Sequence, residues 1–155
     1  MQRLAVIGIG NTLRRDDGIG VIVLGSLLKF YKREDTDYFD FTAASFDLLH
    51  RIKTYDEVLL IDGISAGLSV GELLISELND IECKLDNLFT STHELNLKSI
   101  FEFSKSLGIK TKIYVAGIQV QDTSFGEGLS ESLNNKLEEI LQKIKTFIDE
   151  KFIRS

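Results

Sequence analysis

Short apolar runs alternate with segments of helical periodicity along this chain, and this alternation most constrains its fold. Five runs are predicted as strands: Arg3–Ile9, Asp37–Ala43, Glu57–Asp62, Gly71–Leu78 and Thr111–Ile118. The segments predicted as helices are Gly18–Tyr31, Phe46–Tyr55, Ser91–Gly108 and Leu133–Ile148. Strands that alternate with helices favour a mostly parallel sheet. We therefore predict an α/β fold, a three-layer sandwich with a five-stranded, mostly parallel sheet and helices on both faces.

The composition is typical of one soluble domain, which we expect to cover residues 1–155. The net charge of -6 argues against a nucleic-acid partner, which would require a basic face. The single cysteine, Cys83, excludes an intramolecular disulfide framework and suits a reducing compartment. The chain has no signal-peptide pattern and no apolar run of the ~18 residues that span a bilayer. We expect a cytoplasmic protein without a membrane partner.

The first strand leads into the segment GIGNTLRRDDGIGV, Gly8–Val21, which is rich in glycine. A dinucleotide-binding turn is one interpretation, but its third glycine position holds Leu13. Asp16 and Asp17 stand at the start of the next helix, where they would repel a pyrophosphate. An aspartate at this position can also cap a helix, and we expect Asp16 to do so. The segment therefore favours a cation over a phosphate.

Three potential metal ligands follow different strands of the predicted sheet. Asp17 follows the first strand, Asp62 closes the third, and His93 lies in the first turn of a helix that Ser91 and Glu94 would start as a capping box. In parallel sheets, ligands bind outside the carboxyl ends of the strands. Two carboxylates and an imidazole suit nickel or zinc better than magnesium and leave coordination positions open. Each residue taken singly also has an ordinary structural role, so the prediction depends on their convergence.

Four segments carry a resemblance to a known family: VIGIGNTLRRDDGIGV, EVLLIDGI, STHELNL and AGIQVQDTSFGEGLSESL. They occur in the family's order between Leu4 and Leu133, and the chain resembles the [NiFe]-hydrogenase maturation endopeptidases. The resemblance implies a twisted five-stranded sheet between helix layers. It implies an aspartic-type or metal-dependent endopeptidase that removes the C-terminal extension of the hydrogenase large-subunit precursor after nickel insertion. It also implies that Asp17, Asp62 and His93 are both the metal-contacting and the catalytic residues. The nickel would be supplied by the precursor, and zinc or cadmium could replace it in vitro.

The chain departs from the family's pattern after the second strand, where a glycine-rich turn containing threonine is common. Asp40 is kept, but Phe41, Thr42, Ala43 and Ser45 replace most of the expected residues. Because glycines permit positive φ or close backbone approach, their loss would reshape the groove in which substrate lies. This altered turn leaves open a non-catalytic chaperone that binds metal or precursor. A peptidyl-tRNA hydrolase-like enzyme is a further alternative, against which the acidic pI counts.

The other polar candidates are few. The chain has only one histidine besides His93, namely His50, so a serine or cysteine nucleophile would have few possible bases. His50 lies among leucines of an amphipathic helix, and we expect a surface or structural role. Gln119, Gln121 and Asp122 either line the cleft, as the resemblance suggests, or form a polar loop between glycines.

Overall fold

Five strands and five helices are present in the computed structural model, which describes residues 2–43, 45–78 and 97–152. The strands are Leu4–Ile9 (β1), Thr36–Phe41 (β2), Glu57–Ile64 (β3), Leu73–Glu77 (β4) and Lys112–Gln119 (β5). The helices are Ile19–Phe30 (α1), Phe46–Ile52 (α2), Leu97–Ser106 (α3), Glu131–Asn134 (α4) and Leu137–Phe152 (α5). A 3₁₀ turn, Arg15–Gly18, precedes α1. In the described part of the chain, no helix has the length and apolar character needed to cross a membrane.

The strands form one sheet in the order β2-β1-β3-β5-β4. β1 pairs in parallel with β2 and β3, and β3 pairs in parallel with β5. Only β4, at the edge, runs antiparallel to its neighbour β5. The predicted mostly parallel, five-stranded sheet is confirmed.

Alternate side chains of the central strands pack into two separate cores. Ala5, Ile7 and Ile9 of β1 face one core, which α2 and α3 cover. Leu4 and Val6 face the other core, which α1 and α5 cover. Both faces of the sheet are therefore buried under helices, which is why its strands read as continuous apolar runs. The predicted three-layer arrangement is confirmed.

The ends of several elements differ from the prediction. β3 extends to Ile64, two residues beyond Asp62, because its pairing with β5 continues to Ile64↔Gln119. Helix α2 ends at Ile52 rather than Tyr55. The hydroxyl of Thr111 donates to the carbonyl oxygens of both residues, at 3.0 and 2.7 Å, and so holds them in a turn.

Further differences lie at β4, which begins at Leu73 rather than Gly71, at β2 and at the C-terminal helix. β2 ends at Phe41 rather than Ala43. The predicted single C-terminal helix is two helices, because a tighter turn, with Lys136 N–H donating to Leu133 O at 3.0 Å, separates α4 from α5. Cys83 and the predicted capping box of Ser91 and Glu94 lie outside the described residues.

Candidate functional site

The order of the strands creates a topological switch point at the carboxyl ends of β1 and β3. From β1 the chain passes to β2 on one side, and it returns to β3 on the other side of β1. Ligand sites of open α/β sheets form at such a switch point. The start of α1 lies directly on these strand ends, because a Cβ atom at Gly20 would collide with the carbonyl oxygens of Ile9 and Ile61. Glycine permits this close approach.

Asp17 is held at the end of β1 by the loop that precedes α1. The loop turns back on itself at Gly10, whose φ is +155° and where a Cβ atom would collide with the carbonyl oxygen of Asp17. The Oδ2 atom of Asp17 accepts a hydrogen bond from Asn11 N–H at 3.0 Å. The side chain is buried, with Asp17 3% exposed.

Asp62 lies near the end of β3, beside Gly117 of β5, and is 2% exposed. The next residue, Gly63, lies under the 3₁₀ turn: the carbonyl oxygen of Asp16 is 3.5 Å from the ideal Cβ position of Gly63. The segments that carry Asp17 and Asp62 are therefore in contact at the same edge of the sheet. Two of the three segments that were predicted to converge are therefore brought together by the fold.

His93 falls outside the described residues, so its position relative to Asp17 and Asp62 stays a prediction. Within residues 2–43, 45–78 and 97–152, no three histidine, cysteine, aspartate or glutamate side chains form a group that could hold a metal ion. The described part of the site therefore offers two buried carboxylates, which by themselves are an incomplete donor set for nickel or zinc.

Comparison with known proteins agrees with the fold. Residues 22–146 match the family model described as hydrogenase maturation protease. The chain belongs to the hydrogenase maturation protease family. It is 29% identical to a Methanocaldococcus jannaschii protein whose name places it in the same family, over 93% of this chain and 91% of that protein.

Two solved structures of hydrogenase maturation proteases have the same fold. The Escherichia coli endopeptidase HybD superposes with a TM-score of 0.82 at 22% identity, covering 96% of this chain and 93% of that one. The maturation protease HycI from Thermococcus kodakarensis superposes with a TM-score of 0.75 at 27% identity, with the same coverage of both chains. The resemblance noted from the four sequence segments is confirmed at the level of family and fold.

Asp16, the neighbour of Asp17, has a structural role that its hydrogen bonds define. Asp16 is fully buried. Its Oδ2 atom accepts hydrogen bonds from Gln121 N–H at 2.9 Å, Asp122 N–H at 3.0 Å and the Ser130 hydroxyl at 2.8 Å. Its Oδ1 atom accepts from Ser130 N–H at 2.7 Å. The carboxylate thus joins the loop after β1 to the loop after β5.

The expectation that Asp16 caps α1 is wrong. The N-cap of α1 is Gly18, which offers no side-chain hydrogen bond. Asp16 instead binds the N–H and hydroxyl of Ser130, which is the N-cap of α4. A serine before a helical segment is a typical N-cap signal. The contact of Ser130 with Asp16 joins residues 114 positions apart, and local sequence does not reveal it.

The polar residues at the end of β5 and in the loop after it have mainly structural contacts. The side-chain oxygen of Gln119 accepts from Ala66 N–H at 2.8 Å and Leu68 N–H at 3.2 Å. Asp122 Oδ1 accepts from the N–H and hydroxyl of Ser124. These hydrogen bonds, with the nearby Arg15 guanidinium, lower the pKa of Asp122 from its ordinary value. Asp122 therefore fits the polar-loop interpretation, whereas Gln119 is the last residue of β5 and holds the loop after β3.

The other candidate residues are exposed at the surface or make structural hydrogen bonds. His50 is exposed on α2, as expected. In the altered turn after β2, the carbonyl oxygen of Phe41 accepts from Gly10 N–H at 2.9 Å. The hydroxyl of Ser45 accepts from Leu48 N–H at 3.3 Å and caps α2. The serine that departs from the family's pattern thus starts a helix.

Proposed function

We propose that this chain is the endopeptidase that removes the C-terminal extension of a [NiFe]-hydrogenase large-subunit precursor after nickel insertion. One observation carries the proposal within this family: two buried carboxylates, Asp17 and Asp62, lie on segments in contact at the switch point of the sheet. Such a switch point is where a catalytic site is expected in a fold of this type. The cytoplasmic location expected from the sequence is part of the proposal.

Nickel enters this reaction as part of the substrate. Asp17, Asp62 and His93 would complete the coordination of the nickel that the precursor brings, so that only the metal-loaded precursor is bound productively. Buried carboxylates favour a divalent cation, since its charge offsets the cost of removing them from water. Binding at the metal would also hold the scissile bond in place and supply the proximity contribution to catalysis.

Activation of the attacking water has two chemical routes at such a site. A metal ion lowers the pKa of a bound water, whereas a carboxylate acts as a general base. The aspartic-type mechanism corresponds to the second route, with Asp17 or Asp62 as the base. A precursor loaded with zinc or cadmium instead of nickel separates the two when kcat is compared at saturating precursor, because only the first route makes the chemical step itself depend on the metal.

The proposal is tested by incubating the protein with nickel-loaded and nickel-free precursor and measuring the intact mass of the precursor over time. We expect the shortened product only from the nickel-loaded form. Equal cleavage of both forms would exclude nickel as the recognition element. Binding without cleavage would instead indicate the non-catalytic chaperone.

Substitutions then test the three site residues. Asp17→Asn, Asp62→Asn and His93→Gln should each lower the cleavage rate of nickel-loaded precursor by at least about a hundredfold, which is the scale of a general acid–base contribution. His50→Gln is the matched control, since it changes the other histidine, which is exposed on α2. It should cleave at the wild-type rate. Wild-type rates in the His93 variant would remove that residue from the site.

A further inference from the structure

Two exposed apolar side chains stand on the loops that build the candidate site. Leu13 is 60% exposed in the loop after β1, and Phe125 is 85% exposed in the loop after β5. Phe125 is the most exposed large apolar side chain in the described part of the protein. Single exposed apolar side chains are ordinary at protein surfaces, whereas apolar side chains that are grouped together mark interaction sites.

Direct backbone contacts join the two loops. Gly126 N–H donates to the carbonyl oxygen of Leu13 at 2.9 Å, and Arg15 N–H donates to the carbonyl oxygen of Gly126 at 3.0 Å. Gly126 has a φ of +149°, and a Cβ atom there would approach the Arg15 side chain to 2.9 Å. Leu13 and Phe125 are therefore presented from one cross-linked unit.

Arg14 also fixes the loop that carries Phe125. Its Nε–H donates to the carbonyl oxygen of Thr123 at 3.1 Å, and its guanidinium lies 5.8 Å from the centre of the Phe125 ring. A cation at this distance from a ring is attracted to it. An apolar contact presented in this way loses less conformational entropy on binding than one on a mobile loop.

The cross-linked loops lead directly to the candidate active site. Asp17 follows Arg15 by two residues, and Asp16 anchors the same pair of loops through its carboxylate. The loop that carries Leu13 also carries Asp17, and it is bonded to the loop that carries Phe125. This surface is therefore continuous with the proposed site, which favours the precursor as its occupant.

We propose that Leu13 and Phe125 form a docking ridge that binds an apolar surface of the hydrogenase large-subunit precursor. This inference rests on the proposed function, since it assigns residues that recognise the same substrate. The ridge lies outside the carboxylates, so it contributes to binding the precursor and leaves the hydrolytic step unchanged. Aromatic side chains are frequent among the residues that dominate binding at protein interfaces.

Leu13→Ser and Phe125→Ser test the ridge, because both side chains are exposed and neither change opens the core. Each should raise the KM for nickel-loaded precursor about tenfold, equivalent to about 1.4 kcal/mol of binding free energy, with kcat within about twofold of wild type. Affinity for immobilised nickel-loaded precursor, measured by biolayer interferometry, should fall by the same factor.

Matched controls lie at the opposite edge of the sheet. Leu107 is 63% exposed in the segment that leads into the amino end of β5, and Phe30 is 65% exposed at the end of α1, before the amino end of β2. Leu107→Ser and Phe30→Ser should leave KM, kcat and affinity unchanged. If they raise KM as much as the ridge variants do, the effect belongs to lost surface hydrophobicity and the proposal is wrong.

The other outcomes separate this proposal from the proposed function. Wild-type KM and affinity in both ridge variants would overturn the ridge while leaving the endopeptidase intact. Reduced affinity in the variants, without cleavage by the wild type, would support the ridge and overturn the endopeptidase. A wild type that neither binds nor cleaves the precursor would overturn both. A wild-type dimer that the ridge variants dissociate, at unchanged KM, would assign the surface to a second copy of this chain.

Discussion

Asp16→Asn should destabilise the protein strongly, although it changes one atom. The carboxylate of Asp16 accepts four hydrogen bonds from three residues of the loop after β5. An asparagine oxygen in the place of Oδ2 could keep three of them. The amide nitrogen would then replace Oδ1 and face Ser130 N–H, a donor at 2.7 Å. The variant therefore loses one bond and brings two donors together.

The magnitude follows from the strength of these bonds. A hydrogen bond to an ionised group contributes about 1.5–3 kcal/mol, against about 1 kcal/mol for a neutral one. Loss of one such bond, with the weakening of the other three, gives an expected decrease of about 3 kcal/mol in the free energy of unfolding. This is a large fraction of the stability of a domain, which is typically about 5–15 kcal/mol.

Urea unfolding followed by circular dichroism, with linear extrapolation to water, measures this change. Ser130→Ala removes the hydroxyl that donates to the Asp16 carboxylate at 2.8 Å and should cost about 2 kcal/mol in the wild type, but only about 1 kcal/mol in the Asp16→Asn background, where the acceptor is neutral. Asp17→Asn is the matched variant one position along, which leaves the bonds between the loops in place. It should lose less stability and abolish cleavage. Equal stability of the Asp16→Asn variant and the wild type would refute the structural role assigned to Asp16.

Two further predictions concern the packing of α1 and the pH dependence of stability. Gly20→Ala should lower the free energy of unfolding by about 3 kcal/mol, because its Cβ would strike the carbonyl oxygen of Ile61. Gly25→Ala, with nothing near its Cβ position, should raise the free energy of unfolding by about 0.5–1 kcal/mol. Similar urea midpoints for both variants would contradict the close approach of α1. Burial and a 2.6 Å hydrogen bond to Asp37 raise the pKa of Tyr55 above the ordinary tyrosine value. The contribution of Tyr55 to stability is therefore complete below pH ~10, the ordinary value, and is lost as the pH rises through the raised value. Tyr55→Phe should therefore cost about 1 kcal/mol at pH 7 and lose stability less steeply than the wild type above pH ~10 in urea titrations; parallel curves for the two proteins would show that Tyr55 is not responsible.

The layers of the fold were predictable because their signals are local. β1 and β3 are buried on both faces and read as apolar runs, while α1 and α5 have apolar residues at helical spacing. The ends of elements were less predictable. β3 continues through Asp62 because β5 pairs with it, and α2 stops early because Thr111, from a distant segment, binds its last carbonyl group. Such endings depend on contacts between segments.

The same distinction applies to the site. Strand ends and the parallel order of the sheet were sufficient to place Asp17 and Asp62 at one edge, since both follow from the alternation of strands and helices. The partners of Asp16 lie 105 to 114 residues along the chain and follow from the path of one loop over another. No spacing in the sequence encodes that path. The structural role of Gln119, whose amide holds the loop after β3, was hidden for the same reason.

The geometry of the 3₁₀ turn explains why adjacent aspartates have different surroundings. With about three residues per turn, successive side chains of such a turn point about 120° apart. Asp16 is thereby directed to the loop after β5, whereas Asp17 returns to Asn11 at the end of β1. One carboxylate stabilises the loops, and the other is placed at the switch point of the sheet. An insertion or deletion of one residue in this turn would rotate the side chains that follow by about 120°, so the turn's length constrains the site as strictly as its residues do.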